Sequence, residues 1–293
     1  MARIVVVGSF NVDLTTYVER LPLPGETLPG KEFTTGPGGK GSNQAVAAAR
    51  LGGDVTFIGK VADDAFATMA FDLWQGAGID TRYVQRDSKQ PTGTAIIFVE
   101  DSSENVIIIT GGANMALTVD DINAAEGAIA EADVLLTQLE VDMDVVAHAL
   151  ALARKHHTRT VLNPAPARHL PQALLNNVDI LTPNTTELEI LREQVTLPVS
   201  SEQGLVVTHG ARGVHWQQGS TDSMVPAFEV DVVDTVGAGD AFNGGLAVAV
   251  GDGLAMPDTL RFATAAAALS VTRRGASESM PTREEVEAFL AGR

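Results

Sequence analysis

The sequence predicts an α/β fold of three layers: a mainly parallel central sheet with helices on both faces, plus a small second β-sheet. Three observations predict it. Short apolar runs alternate with helical segments in the strand, loop, helix rhythm that builds parallel sheets. Glycine-bearing turns follow several of these runs, at the strand ends where open α/β sheets bind ligands. Two β-branched runs, 93–100 and 105–110, carry too few polar residues for an ordinary solvated hairpin.

In chain order, Ile4-Val5-Val6-Val7 comes directly after Met1-Ala2-Arg3 and reads as a first strand rather than a signal peptide. Residues 8–13 leave the sheet edge, and the turn Leu21-Pro-Leu-Pro-Gly25 leads to Gly36-Pro-Gly-Gly-Lys-Gly41 and a helix over 42–51. The rhythm recurs as a strand at 55–58 with a helix from Asp63, and a strand at 134–136 with a helix to about Lys155. Strands at 160–162 and 178–181 each precede a short helix. The 93–110 hairpin, turning at 101–104, is expected to join segments within about 14–35 in a small sheet that covers a ligand or a partner subunit. Residues 232–243 read as an apolar strand running through two glycines into a helix, alanine-rich 262–269 as a closely packed helix, and the chain end as a helix from about Thr282. No internal repeat or low-complexity tract interrupts the chain, so one domain over 1–293 is expected.

A chain of 293 residues can bury one large core. With 37 acidic against 20 basic side chains, the net charge of −17 repels nucleic acid and anionic membrane. No apolar run approaches a membrane span, and the absence of cysteine removes disulfides and thiolate chemistry, which suits a cytoplasmic protein. Any phosphate must therefore be held locally, by backbone N–H groups, one or two lysines and a divalent cation.

Several constellations offer such chemistry. Gly237 and Gly239 allow a sharp turn that aims N–H groups at a helix mouth carrying about +0.5 charge, with Asp240 beside it. Two readings stand: an anion site with a base in it, or a glycine turn whose Asp240 caps the helix. Asn11 and Asp13, just past strand one, can grip vicinal hydroxyls or form an Asx turn. Gly38-Gly39-Lys40-Gly41 with Asn43 allows close approach to a small polyol, and it lacks the spacing of a Walker A loop. Glu140 follows a buried strand and can accept bonds from a sugar. Asn184 and Glu187 make a capping box, and Glu187 is also suited to a hydrated Mg²⁺. Thr208-His-Gly210-Ala211-Arg212-Gly213 is a strand end with a glycine turn that would suit a nucleotide wall. The six histidines show no metal-ligand spacing, no Gly-x-Ser-x-Gly elbow occurs, and Trp74 and Trp216 read as packing residues.

In this order, Asn11-Val-Asp13, Gly38-Gly-Lys-Gly41 with Asn43, Gln138-Leu-Glu140, Asn163-Pro-Ala-Pro166, Thr182-Pro-Asn184 with Glu187, Thr208-x-Gly210 and Asp234-Thr-Val-Gly-Ala-Gly-Asp240 resemble the ribokinase branch of the PfkB-type carbohydrate kinases, nearly end to end. The resemblance implies a ribokinase-like domain with a β-sheet lid that often pairs two subunits, hence a homodimer. It implies that Asn11, Asp13, Gly39, Lys40, Asn43 and Glu140 hold the sugar, that Asp240 takes the hydroxyl proton, and that Gly237-Ala238-Gly239 forms the anion hole. ATP would border Asn184, Thr208, Gly210, Ala211, Arg212, Gly213, Gly239 and Thr264, with Glu187 acting through Mg²⁺. A monovalent cation, K⁺, would use Asp234, the carbonyl of Val236, Ser270, the carbonyl of Arg273, Gly275 and Ser279. The implied reaction is D-ribose to ribose 5-phosphate. Deoxyribose, a ketohexose or a nucleoside are alternative acceptors, and a sugar sensor without turnover is the non-enzyme alternative. Two departures fall on the nucleotide side: 188–207 is shorter than the helix and strand usual there, and Thr264 stands where many relatives place Asn or His. An aspartate at a helix N-terminus is expected to be a weak base with a lowered pKa.

Overall fold

The computed structural model describes residues 1–293 apart from 103, 104, 194 and 199, so half of the expected 101–104 turn lies outside the described residues. The chain opens with β1 (Arg3–Val7), β2 (Asn11–Val18) and β3 (Glu32–Gly38), followed by α1 (Lys40–Arg50), β4 (Asp54–Ala62), α2 (Ala65–Gly76) and β5 (Asp80–Asp87). The hairpin β6 (Gly93–Glu100) and β7 (Asn105–Thr110) leads through α3 (Val119–Ala124) and α4 (Glu126–Glu131) to β8 (Val134–Thr137), α5 (Met143–Lys155) and β9 (Arg159–Leu162). Then come α6 (Gln172–Leu175), β10 (Ile180–Leu181), α7 (Thr185–Arg192), β11 (Gly204–Thr208), β12 (Val214–Gln218) and β13 (Thr221–Val225). The chain closes with α8 (Ala238–Gly251), α9 (Met256–Ser270) and α10 (Arg283–Ala291). Caps fix several starts: Asp64 accepts from the N–H groups of Phe66 and Ala67 before α2, and capping boxes at Asn184 and Thr282 start α7 and α10.

Nine strands form the main sheet in the order β13-β12-β11-β10-β9-β8-β1-β4-β5, parallel from β11 to β5 with the β12–β13 hairpin antiparallel at one edge. Alternation along the strands divides the core. Ile4, Val6, Val134, Leu136 and Val206 face the layer of α1, α2, α8, α9 and α10, while Val5, Val7, Leu135, Leu162 and Leu205 face α3 to α7. Runs buried on both faces are why these strands read as continuously apolar. Trp74 fills the first layer against Phe10, Phe57 and Phe71, with ring centroids 4.7–5.6 Å away, and its Nε1 donates to Ser42 Oγ at 2.9 Å.

Close helix packing and the branching of a second sheet shape the ligand-facing side. A Cβ on Gly244 would fall 2.5 Å from Ala47 Cβ, so glycine and alanine let α8 and α1 approach closely. The second sheet, β3-β2-β6-β7, grows out of β1 through β2, with β2 and β6 parallel. Its edge strand β7 is exposed along its whole length, with Val106, Ile107, Ile108 and Ile109 each 41–55 % exposed. Between α7 and β11 no helix or strand intervenes among the described residues. The apolar strand expected before the Gly237 turn does not form: 232–237 is irregular, and the N–H groups of Val233 and Asp234 donate to Val271 O instead of to a neighbouring strand. Among the described residues no helix is long and apolar enough to cross a membrane.

Candidate active site

The main sheet winds outward from β1 through β4 and β5 on one side, and from β8 through β9 and β10 on the other. The β1–β8 boundary is therefore the topological switch point, and the carboxyl ends of both strands open into one crevice. Beyond β1 the chain passes directly into β2, so Asn11 and Asp13 are strand residues and not an Asx turn. Asn11 is buried, and its Oδ1 accepts from Asn114 Nδ2 at 2.8 Å. Asn114 also bonds the backbone N–H and C=O of Phe10, pinning this junction. Beyond β8, Glu140 Oε2 accepts from Ser9 Oγ and from the Lys40 N–H at 2.9 Å, which ties the two strand ends to the start of α1.

Glycines make the crevice narrow. Gly39 has φ +89, and a Cβ there would lie 2.7 Å from Asn11 N. At Gly38 a Cβ would meet the Asp13 carboxylate at 2.2 Å. Burial, then the carboxylates of Glu140, Glu278 and Asp240, push the Asp13 carboxyl up to about 7, against the pull of Lys40. Burial lowers the Lys40 ammonium, but Asp240, Glu140, Glu187 and Asp13 together outweigh it and hold it above its ordinary value.

Asp240 enters from α8. Gly237 caps that helix at φ +77 in the left-handed region, and the space in front of Gly239 is open. Asp240 is 7 % exposed. Its Oδ2 accepts from Asn43 Nδ2 at 3.1 Å and its Oδ1 from Gln44 Nε2 at 2.9 Å. The lowered pKa expected from the helix mouth is overturned: desolvation raises it, outweighing Lys40, Gln44 and Asn43, and Glu140 adds to the rise. The carboxylate is a stronger base than its position in the sequence suggests.

On the far side, Asn184 bridges to Thr208, which brings the α7 start beside the β11 end. Glu187 is half-buried; desolvation raises its carboxyl against the Asn184 N–H and Lys40. Gly210 has φ +58 and faces open space, Ala211 and Arg212 are exposed, and Gly213 has φ +104 with Val225 O 2.1 Å from a Cβ. Thr264 on α9 is buried with its Oγ1 unpartnered. A second loop cluster joins Asp234 to the segment after α9: its Oδ1 accepts from the Val236 N–H and its Oδ2 from the Gly275 N–H, both at 3.0 Å. Ser270 and Ser279 are fully buried nearby in sequence, and the Arg273 guanidinium is held by Glu285, which leaves its carbonyl as the group available.

The sequence reading missed Gln44, Asn114 and Glu278. Gln44 carried a signal, a long amide beside Asn43 on a helix otherwise rich in alanine; the other two sit in short 3-10 turns without local signature.

Carboxylates, a lysine and an amide thus converge at a switch point, beside a glycine-capped helix mouth suited to an anion. The family model of the pfkB family carbohydrate kinases matches residues 1–283, and the chain belongs to that family. It is 41% identical to the ribokinase of Haemophilus influenzae over 97% of both chains, and 40% identical to a deoxyribokinase of Salmonella typhi over 98% of both. Among solved structures, that of Arabidopsis thaliana ribokinase complexed with ribose and ATP superposes with a TM-score of 0.89 at 33% identity, covering 99% of this chain and 98% of the other.

Proposed function

We propose that the protein phosphorylates D-ribose at O5 with ATP, giving ribose 5-phosphate and ADP in the cytoplasm. The observation that carries this reading is Asp240, a buried carboxylate of raised basicity at the mouth of α8, facing a crevice that also holds Lys40, Asp13 and Glu140. The likeness to a ribokinase bound to ribose and ATP supports the choice of substrates. Asn11, Asp13, Gly39, Lys40, Asn43 and Glu140 hold the sugar hydroxyls. Asp240 orients the acceptor hydroxyl and takes its proton as the new O–P bond forms and the bond from the γ-phosphorus to the bridging oxygen breaks. The N–H groups of Gly237-Ala238-Gly239 receive the charge on the moving phosphoryl group. Asn184, Thr208, Gly210, Ala211, Arg212, Gly213, Gly239 and Thr264 border ATP, and the orphaned Thr264 Oγ1 is a ready partner for it.

The residues fit both expected cations. Glu187 lies near Lys40 and Asp240, and among the described residues one of its carboxylate oxygens accepts from the Asn184 N–H, so it could hold magnesium through water; the ion would supply charge neutralisation at the phosphates. Asp234, Ser270, Ser279 and the carbonyls of Val236, Arg273 and Gly275 would supply the oxygens for potassium; Asp234 already joins Val236 to Gly275, and the Arg273 guanidinium is turned to Glu285.

The test is ADP release from MgATP with D-ribose, 2-deoxyribose or no sugar, each in potassium and in a bulky organic cation. Ribose-dependent release that rises with potassium is expected. Turnover with ribose but no potassium effect would remove the cation assignment, a preference for deoxyribose would change the acceptor, and sugar binding without release would favour a sensor.

The exposed apolar β7 edge fits pairing of the lid sheets of two copies. Ile108→Asp is expected to convert a dimer to a monomer in light scattering. A wild-type chain that is already monomeric at micromolar concentration would remove this proposal.

A further inference from the structure

On the interior side of Asp240, polar side chains from α1, α8 and the residues just past β8, β9 and β10 form one hydrogen-bonded chain. Gln138, past the end of β8, donates through Nε2 to Gln44 Oε1 at 2.6 Å. Gln44 Nε2 donates both to Asp240 Oδ1 at 2.9 Å and to Asn163 Oδ1 at 3.1 Å. Asn163 Nδ2 donates to the Thr182 carbonyl at 3.0 Å, Thr182 Oγ1 to Asn243 Oδ1 at 2.6 Å, and Asn243 Nδ2 to the Gly239 carbonyl at 2.8 Å. The chain thus begins at the strand end beside Glu140, branches to Asp240 at Gln44 and ends on the glycine turn. Gln44 is 0 % exposed, and Gln138, Thr182 and Asn243 are at most 2 %.

Such burial is costly for an amide unless its groups are bonded, and an apolar side chain would fill the space between α1 and α8 without that cost. Both N–H groups of Gln44 are in fact used. The direction is fixed too: an ionised carboxylate only accepts, so the Gln44 nitrogen must face Asp240 and its oxygen must face Gln138. Reversing one amide would set like against like along the chain.

We infer that Gln44 is a positioning residue for phosphoryl transfer, holding Asp240 in its ionised form and fixing the plane of the carboxylate. The inference rests on Asp240 being the base. Asn43 grips the other oxygen from α1, so the two donors set the carboxylate's orientation from both sides. The charged groups facing Asp240 are Lys40 on α1, Glu140 past β8, Asp13 on β2 and Glu187 on α7. Three of these four are acidic, so the neutral donors and Lys40 alone oppose desolvation.

The test measures kcat and KM for D-ribose from pH 5 to pH 9 in Gln44→Met and Gln44→Asn, with Asp240→Asn beside them. Gln44→Asn keeps an amide but shortens its reach, and it carries the test if the apolar variant does not fold. Expected are a kcat lowered about 10- to 100-fold near neutral pH, an acid limb of the kcat profile moved up by about one pH unit, and a ribose KM within about threefold of wild type. An acid limb that stays in place in a folded variant, whatever the size of the kcat loss, overturns the inference. Near-normal turnover in Asp240→Asn overturns the base reading instead, and the two failures are thereby told apart.

Discussion

Asp240→Asn is expected to lower turnover by roughly 10²–10⁴ or more while ribose still binds. The substitution keeps the shape between α1 and α8, so the α8 mouth and the Gly237 turn should persist. It replaces one carboxylate oxygen by a donor, which must then face the Asn43 or the Gln44 amide, and it cannot take a proton. In a loose transition state the nucleophile needs orientation and charge stabilisation more than early deprotonation, so the anion hole should leave residual activity. The pH dependence carries a sign. Because burial holds the Asp240 carboxyl above its ordinary value, wild-type kcat should fall as pH drops through that raised value, on the alkaline side of an ordinary aspartate. Steady-state rates from pH 5 to 9, with calorimetry of ribose binding to the variant, check both points. Turnover near wild type would sink the base assignment.

How much of this could be read from the chain depends on the range of the forces involved. Segments β1 and β8 declare themselves because strands buried on both faces must be continuously apolar, and the Asn184 and Glu187 box declares itself because capping is local. The order of motifs along the chain was sufficient for the family. What failed was non-local. Val232-Val233 has the composition of a strand, but the N–H groups of Val233 and Asp234 find Val271, far along the chain, and no strand forms there. Strand β5 reads Asp-Thr-Arg-Tyr-Val-Gln-Arg-Asp and hides among polar residues, being a sheet edge. The direction of the Asp240 shift was missed for the same reason. The helix mouth is visible in the sequence, but the burial that outweighs it comes from α1, about two hundred residues away and drawn close by the Gly244–Ala47 contact.

Asp13→Asn is expected to weaken ribose binding and, without sugar, to stabilise the protein at pH 8 by about 2–4 kcal/mol. Asp13 titrates near 7 in the folded chain against 3.8 as a free side chain, raised by desolvation and by Glu140, Glu278 and Asp240. Between those values the folded state binds more proton than the unfolded state, so stability falls as pH rises through the window and levels off above about 7. Asparagine cannot ionise, so its advantage should be large at pH 8, smaller at pH 5.5 and absent below the unfolded pKa. Urea unfolding of both proteins at pH 8 and 5.5 checks this. An equal gain at both would mean that the charge of Asp13 is not the cause. The cost is understandable if the site is built for a ligand: the hydroxyls of a bound sugar would donate to a carboxylate that the crowded acidic crevice otherwise leaves strained, and ribose should accordingly stabilise the wild type more than the variant at pH 8.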